Sequence, residues 1–156
     1  MAYLAVPPLA AMQPQMVLHT SHPTDDLMIP LRILIIDDSP EFIQAATLFI
    51  EQVHQAQYVV GALDARTALE ELKRIRPHLV LVDLSMPGVN GLETTRMIKT
   101  EWVAVRVVLL SVEDTKEHRQ AAAEAGADAY ISKSEFASKF MPTVANLFGG
   151  KYGDDH

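Results

Sequence analysis

Four short segments carry side chains that could do chemistry together: Asp37-Asp38, Asp83, Ser111 and Lys133. Each follows an apolar run, RILII before Asp37, HLVLV before Asp83, VRVVLL before Ser111, and the stretch ending in YIS before Lys133. Carboxylates crowded at one place repel one another unless a cation joins them. A set of oxygen ligands with several retained waters suits Mg²⁺, which binds through few carboxylates plus phosphate oxygens. A carboxylate beside such an ion can act as a nucleophile towards phosphorus, while the ion spreads the charge of the transferring group. A serine hydroxyl and a lysine ammonium can each hold a phosphoryl oxygen. Residue types and order therefore point to phosphoryl transfer, provided the four segments converge.

Convergence depends on the elements. Arg32–Asp37 reads as a strand ending in acid. Pro40–Val53 follows with apolar residues at helical spacing (Phe42, Ile43, Ala46, Phe49, Ile50 and Val53), Ser39 as N-cap and Pro40 at the first helical position. Tyr58–Ala62 reads as a short strand and Ala65–Arg76 as a helix capped by Asp64 and stopped by Pro77. His78–Leu84 is a strand, Met86–Gly91 a loop, Leu92–Thr100 a helix and Val105–Leu110 a strand. Thr115–Ala125 is a helix closed by Gly126 at C′, and Ala127–Ser132 is the last strand. Glu135–Phe148 is a final helix capped by Ser134, with Pro142 expected to kink it or start it late.

Runs such as ILII, LVLV and VVLL are apolar at every position, as in strands buried on both faces. Five alternating β-α pairs then predict an α/β fold: a doubly wound, five-stranded parallel sheet in a three-layer α/β/α arrangement. Ligands of such sheets bind at the carboxyl ends of the strands, where all four segments fall.

Composition narrows the function classes. The chain has 156 residues, suited to one domain, and no cysteine, which removes disulfides and thiolate chemistry. A net charge of −7 argues against non-specific nucleic-acid binding. No apolar run reaches the roughly 18 residues that span a bilayer, and Met1–Met12 lacks a basic start, so a cytoplasmic protein is expected. Residues 1–31, with five prolines and no Lys or Arg, read as a flexible tail; 32–148 is the expected domain and 149–156 a C-terminal tail. The six histidines show no metal-ligand spacing, and His78 reads as structural.

The segments IIDDS (35–39), LVDLSMPGVNGLE (81–93), LLS (109–111) and GADAYISK (126–133) together resemble the motifs of response-regulator receiver domains. The resemblance covers Arg32 to Phe148 and implies a (βα)5 flavodoxin-like fold. It implies phosphorylation on Asp83, with Mg²⁺ held directly by Asp38 and Asp83, through water by Asp37, and by the backbone carbonyl of Ser85. It makes Ser111 and Tyr130 a switch pair, Lys133 the ion-pair partner of Asp83 and its phosphoryl group, and Pro87 and Gly91 the shapers of the following loop. A histidine kinase or histidine phosphotransfer protein would be the donor. The chain would be a stand-alone, single-domain response regulator rather than an enzyme. It would act through a downstream protein or as a homodimer, with no direct DNA binding and no membrane.

Three departures stand against that pattern. Val112 follows the switch hydroxyl where a small residue is usual, and would crowd the phosphoryl group. Ser134 replaces the usual proline after the lysine. SKSEFASKF resembles receivers that precede helix-turn-helix output domains. Each residue also has a plainer reading. Asp37-Asp38 could favour the helix that follows, Ser111 could cap the next helix with Glu113 or Asp114 as rivals, and Tyr130 could be a half-buried strand aromatic. Two other functions fit the same fold: a binding module that is never phosphorylated, and a phosphatase with an Asp nucleophile. The phosphatase reading lacks the second acid two residues on, where Ser85 stands.

Overall fold

The apolar runs become the strands of a single parallel sheet. The computed structural model describes residues 30–54, 58–86 and 90–149. Its strands are β1 Arg32–Ile36, β2 Tyr58–Ala62, β3 Leu79–Asp83, β4 Arg106–Ser111 and β5 Ala129–Ser132. They lie side by side in the order β2-β1-β3-β4-β5, each neighbouring pair parallel. The helices between and after them are α1 Pro40–Val53, α2 Ala65–Ile75, α3 Gly91–Glu101, α4 Lys116–Glu124 and α5 Phe136–Val144. This is the expected flavodoxin-like α/β fold.

Strand alternation divides the core into two layers, because successive side chains point to opposite faces. Leu34, Ile36, Val80, Val82, Val107 and Leu109 pack against Ala68, Leu72, Ile98 and Ala122 of α2, α3 and α4. Ile33, Ile35, Leu79, Leu81, Val108 and Leu110 pack against Ala46, Ile50, Phe136, Phe140 and Val144 of α1 and α5. The central strands are therefore dry on both sides, which is why their sequences show no polar alternation.

Helix starts follow local chemistry. Ser39 and Asp64 accept from Phe42 N and Thr67 N, as their positions predicted. Asn90 caps α3 through Glu93 N, and Thr115, rather than Ser111, Glu113 or Asp114, caps α4 through His118 N. α2 ends on Arg76 in the left-handed region at φ 49°, ahead of Pro77, while Gly126 closes α4 at φ 94°.

The C-terminal third departs from expectation. β5 begins at Ala129, not Ala127, because the amide of Ala127 still bonds Ala122 O of the preceding helix. Ser134 does not cap the last helix: its Oγ pairs with Ser132 Oγ at 3.0 Å, and Lys133–Glu135 forms a 3-10 turn. α5 starts at Phe136 with Glu135 as its cap residue and no side-chain cap bond. Pro142 does not delay that start. The α register ends at Val144 and a π turn, Ala145–Gly149, follows, with Ala145 N shared between Met141 O and Pro142 O. No peptide bond among the described residues is cis, so the turn at Ser134 closes with trans geometry. The expected tails, apart from Pro30, Leu31 and Gly149, and Pro87 lie outside the described residues.

Candidate functional site

β1 and β3 are the central neighbours, from which the chain leaves towards opposite edges. That is the switch point at which α/β sheets bind ligands. Ile36 pairs with Val82, so the next residues, Asp37 and Asp83, stand level at the strand ends. Asp37 is fully buried and Asp83 is 4% exposed, while Asp38 faces solvent. One carboxylate oxygen from each lies within 4.8 Å of the other two. The amide of Gly91 bonds Leu84 O at 3.0 Å and draws the start of α3 against the end of β3.

Lys133 reaches into this acid group. Its Nζ lies 2.7 Å from Asp37 Oδ2 and 3.5 Å from Asp83 Oδ1. Asp37 Oδ1 accepts from Ser39 N at 2.9 Å, and Asp83 Oδ1 from Ser85 N at 3.4 Å. Burial pushes the Asp83 carboxyl above its ordinary range and the Asp37 carboxylate pushes it further; Lys133 and the Ser85 N–H pull the other way. Asp37 Oδ2 is buried and, although Lys133 stands at ion-pair distance, no hydrogen bond of regular geometry reaches it from the described residues. One lysine thus faces two buried acids and a third at the rim. An oxygen-only donor set with an unsatisfied buried oxygen fits a hard divalent cation such as Mg²⁺.

The other expected residues, Ser111 and Tyr130, converge on one backbone carbonyl, that of Glu113. Ser111 Oγ donates to Glu113 O at 2.6 Å and accepts from Glu113 N at 3.2 Å. Tyr130 OH donates to the same carbonyl at 2.7 Å. The ring of Tyr130 is half-buried against the α2–α3–α4 layer, with the Arg119 guanidinium 6.0 Å from its centroid. Arg119 in turn makes two 2.6 Å bonds to Asp114. Val112, expected to crowd the phosphoryl position, is 76% exposed, because the turn held by Ser111 and Glu113 turns it outward.

A family model described as the response regulator receiver domain matches residues 33–145. The chain belongs to the receiver domain family. This receiver is 45% identical over 109 residues to protein-glutamate methylesterase/protein-glutamine glutaminase 4 of Myxococcus xanthus, covering 67% of this chain and 30% of that one. It is 34% identical over 104 residues to the nitrate/nitrite response regulator NarL of Escherichia coli K12, covering 67% of this chain and 48% of that one. Among solved structures it resembles a LuxR-family two-component response regulator from Aurantimonas sp. SI85-9A1. That match has a TM-score of 0.71 and 28% identity, and covers 78% of this chain and 86% of the other. The chain spans about half the length of the first curated relatives it matches. Among the described residues no helix of the receiver is long and apolar enough to cross a membrane.

The contacts of two further participants were not announced by the sequence. Glu113 enters through its backbone carbonyl, which every residue possesses. Phe42, placed by its spacing on the core face of α1, has its ring centroid 4.5 Å from Lys133 Nζ. Both contacts arise from the tertiary fold alone.

Proposed function

We propose that this receiver accepts a phosphoryl group on Asp83 from a histidine kinase or histidine phosphotransfer protein, with Mg²⁺ as cofactor. The observation that carries the reading is the meeting of Asp37, Asp38, Asp83 and Lys133 at one rim. An oxygen of Asp83 attacks phosphorus, the bond from phosphorus to the donor nitrogen breaks, and an acyl phosphate remains on the carboxylate. Asp38, Asp83 and the Ser85 carbonyl would hold Mg²⁺, Asp37 through a water; when bound, the ion neutralises charge on the phosphoryl oxygens. Lys133 supplies a second cation to those oxygens.

The readout follows from Glu113. Ser111 and Tyr130 share its carbonyl, so moving the serine hydroxyl to a phosphoryl oxygen frees one acceptor site beside the tyrosine. The face of α4, β5 and α5 then takes a second arrangement that a partner protein, or a second copy, distinguishes. This reading makes the chain a phosphoacceptor rather than an enzyme with turnover, since Ser85 stands where a phosphatase would carry its second acid. In relatives such as NarL the matched region is one part of a longer protein. The receiver's output therefore lies in whatever this face contacts, within a chain or between chains.

Acetyl phosphate with Mg²⁺ should label the protein with one equivalent of phosphate. Chelation, or Asp83→Asn, should abolish the label in intact-mass measurements. Undiminished labelling of the Asn variant would overturn the assignment.

A further inference from the structure

The geometry points to Phe42 as a positioning residue that holds the Lys133 ammonium in place while the carboxylates around it change partners. This rests on the reading of Asp83 as phosphoacceptor. Lys133 Nζ stands 4.5 Å from the centroid of the Phe42 ring, well inside the roughly 6 Å over which a ring attracts a cation. Among the described residues its ion-pair contacts are Asp37 Oδ2 at 2.7 Å and Asp83 Oδ1 at 3.5 Å. Those two are the groups that a divalent cation and an incoming phosphoryl group must engage. As they do so, both anionic holds on the ammonium weaken. The ring face competes for neither ligand and keeps its attraction throughout.

The ring is itself fixed. Phe42 lies in the first turn of α1, directly after the acid pair, and packs edge-on to Phe136 at 5.7 Å and 73°. Phe136 opens α5 just beyond the turn that carries Lys133, and contacts Phe49 and Phe140. The aromatic group therefore ties the acid-bearing loop after β1 to the lysine-bearing turn after β5. With 16% of its side chain exposed, Lys133 is partly desolvated, where a cation-ring contact is stronger than at an open surface. A lysine on four methylenes has many rotamers, and a fixed ring narrows them towards the phosphoryl position.

Two readouts test this. In NMR, the ε-methylene protons of Lys133 should lie upfield through the ring current of Phe42. The shift should persist with Mg²⁺ and beryllofluoride, survive in Phe42→Tyr and vanish in Phe42→Leu. In kinetics at saturating Mg²⁺, Phe42→Leu should slow labelling by acetyl phosphate about three- to tenfold, with Phe42→Tyr near wild type. Pentafluorophenylalanine at position 42 keeps the packing but reverses the ring's charge distribution, and should slow labelling like Phe42→Leu even if the leucine variant folds poorly. An unshifted lysine, a shift lost on adding Mg²⁺ and beryllofluoride, or a fluorinated variant with the wild-type rate would overturn the role of Phe42. Failure of the wild type to take label would instead overturn the Asp83 reading, and the NMR shift would still decide whether Phe42 holds Lys133.

Discussion

A buried carboxylate beside a second buried carboxylate opposes folding at neutral pH. Burial and the Asp37 charge raise the Asp83 pKa above its unfolded value of 3.8. An acid with a raised folded pKa binds its proton more tightly when folded. Its contribution to stability is complete below 3.8 and is lost as pH rises through the folded value. At neutral pH Asp83 is therefore a destabilising charge. Asp83→Asn should melt higher than wild type at neutral pH without divalent cations. The gain should be on the order of 1 kcal/mol, or about 2–8 °C in Tm for a domain of this size. Mg²⁺ should close the gap by stabilising the wild type preferentially. Calorimetry with and without the ion checks both statements; an Asn variant that melts below wild type in chelator would contradict them.

At the scale of elements, the close fit of α3 on β3 decides how Asp83 is presented. A Cβ on Gly91 would overlap Asp83 O and lie 2.9 Å from Leu84 Cα, and both are backbone atoms that cannot rotate aside. Gly91→Ala should therefore lose about 1–3 kcal/mol in a urea titration, the range for overpacking a filled site. It should also slow labelling of Asp83, because α3 has to move off the strand end. A variant with the wild-type midpoint would show that the contact yields freely. Other joints between elements are polar. Lys99 Nζ on α3 bonds Val105 O at 2.9 Å and Asp128 Oδ2 at 2.8 Å, fixing the end of α3 to the segments beside β4 and β5.

Across the whole molecule the two ends of the sheet have separate tasks. The carboxyl ends carry the Asp37, Asp38 and Asp83 group; the amino ends carry a histidine that joins two strands. His78 Nδ1 accepts from Arg32 N at 3.0 Å, linking the start of β3 to the start of β1. Burial lowers the His78 pKa below 6.5 and Arg32 lowers it further, while burial alone lowers that of His54. A base with a depressed folded pKa contributes stability that is present above 6.5 and lost as pH falls through the folded value. Denaturation midpoints should therefore drop as pH falls from about 7.5 towards 5.5, the window in which neutral imidazoles must charge. His78→Gln, which keeps an acceptor but cannot titrate, should flatten that slope and leave labelling of Asp83 unchanged. A slope equal to wild type would exclude His78 as its source.

Much of this was legible in the chain itself. Runs apolar at every position fixed a parallel sheet covered on both faces, and acids or a lysine just past those runs placed the chemistry on one rim. Ser39 and Asp64 announced two helices because capping is local. The last helix was less legible. Ser134 had the chemistry of a cap, yet the chain uses it to pair with Ser132, and Pro142, expected to kink the last helix or start it late, does not delay its start at Phe136. Phe42 read as a core residue because periodicity records which face is apolar, not what sits over the ring. The shared carbonyl of Glu113 had no trace at all. Local propensity and strand-end position are properties of neighbours in sequence. A lysine over a ring from the first helix, and two hydroxyls on one carbonyl, arise only when the ends of β1, β4 and β5 are brought to one edge of a single sheet.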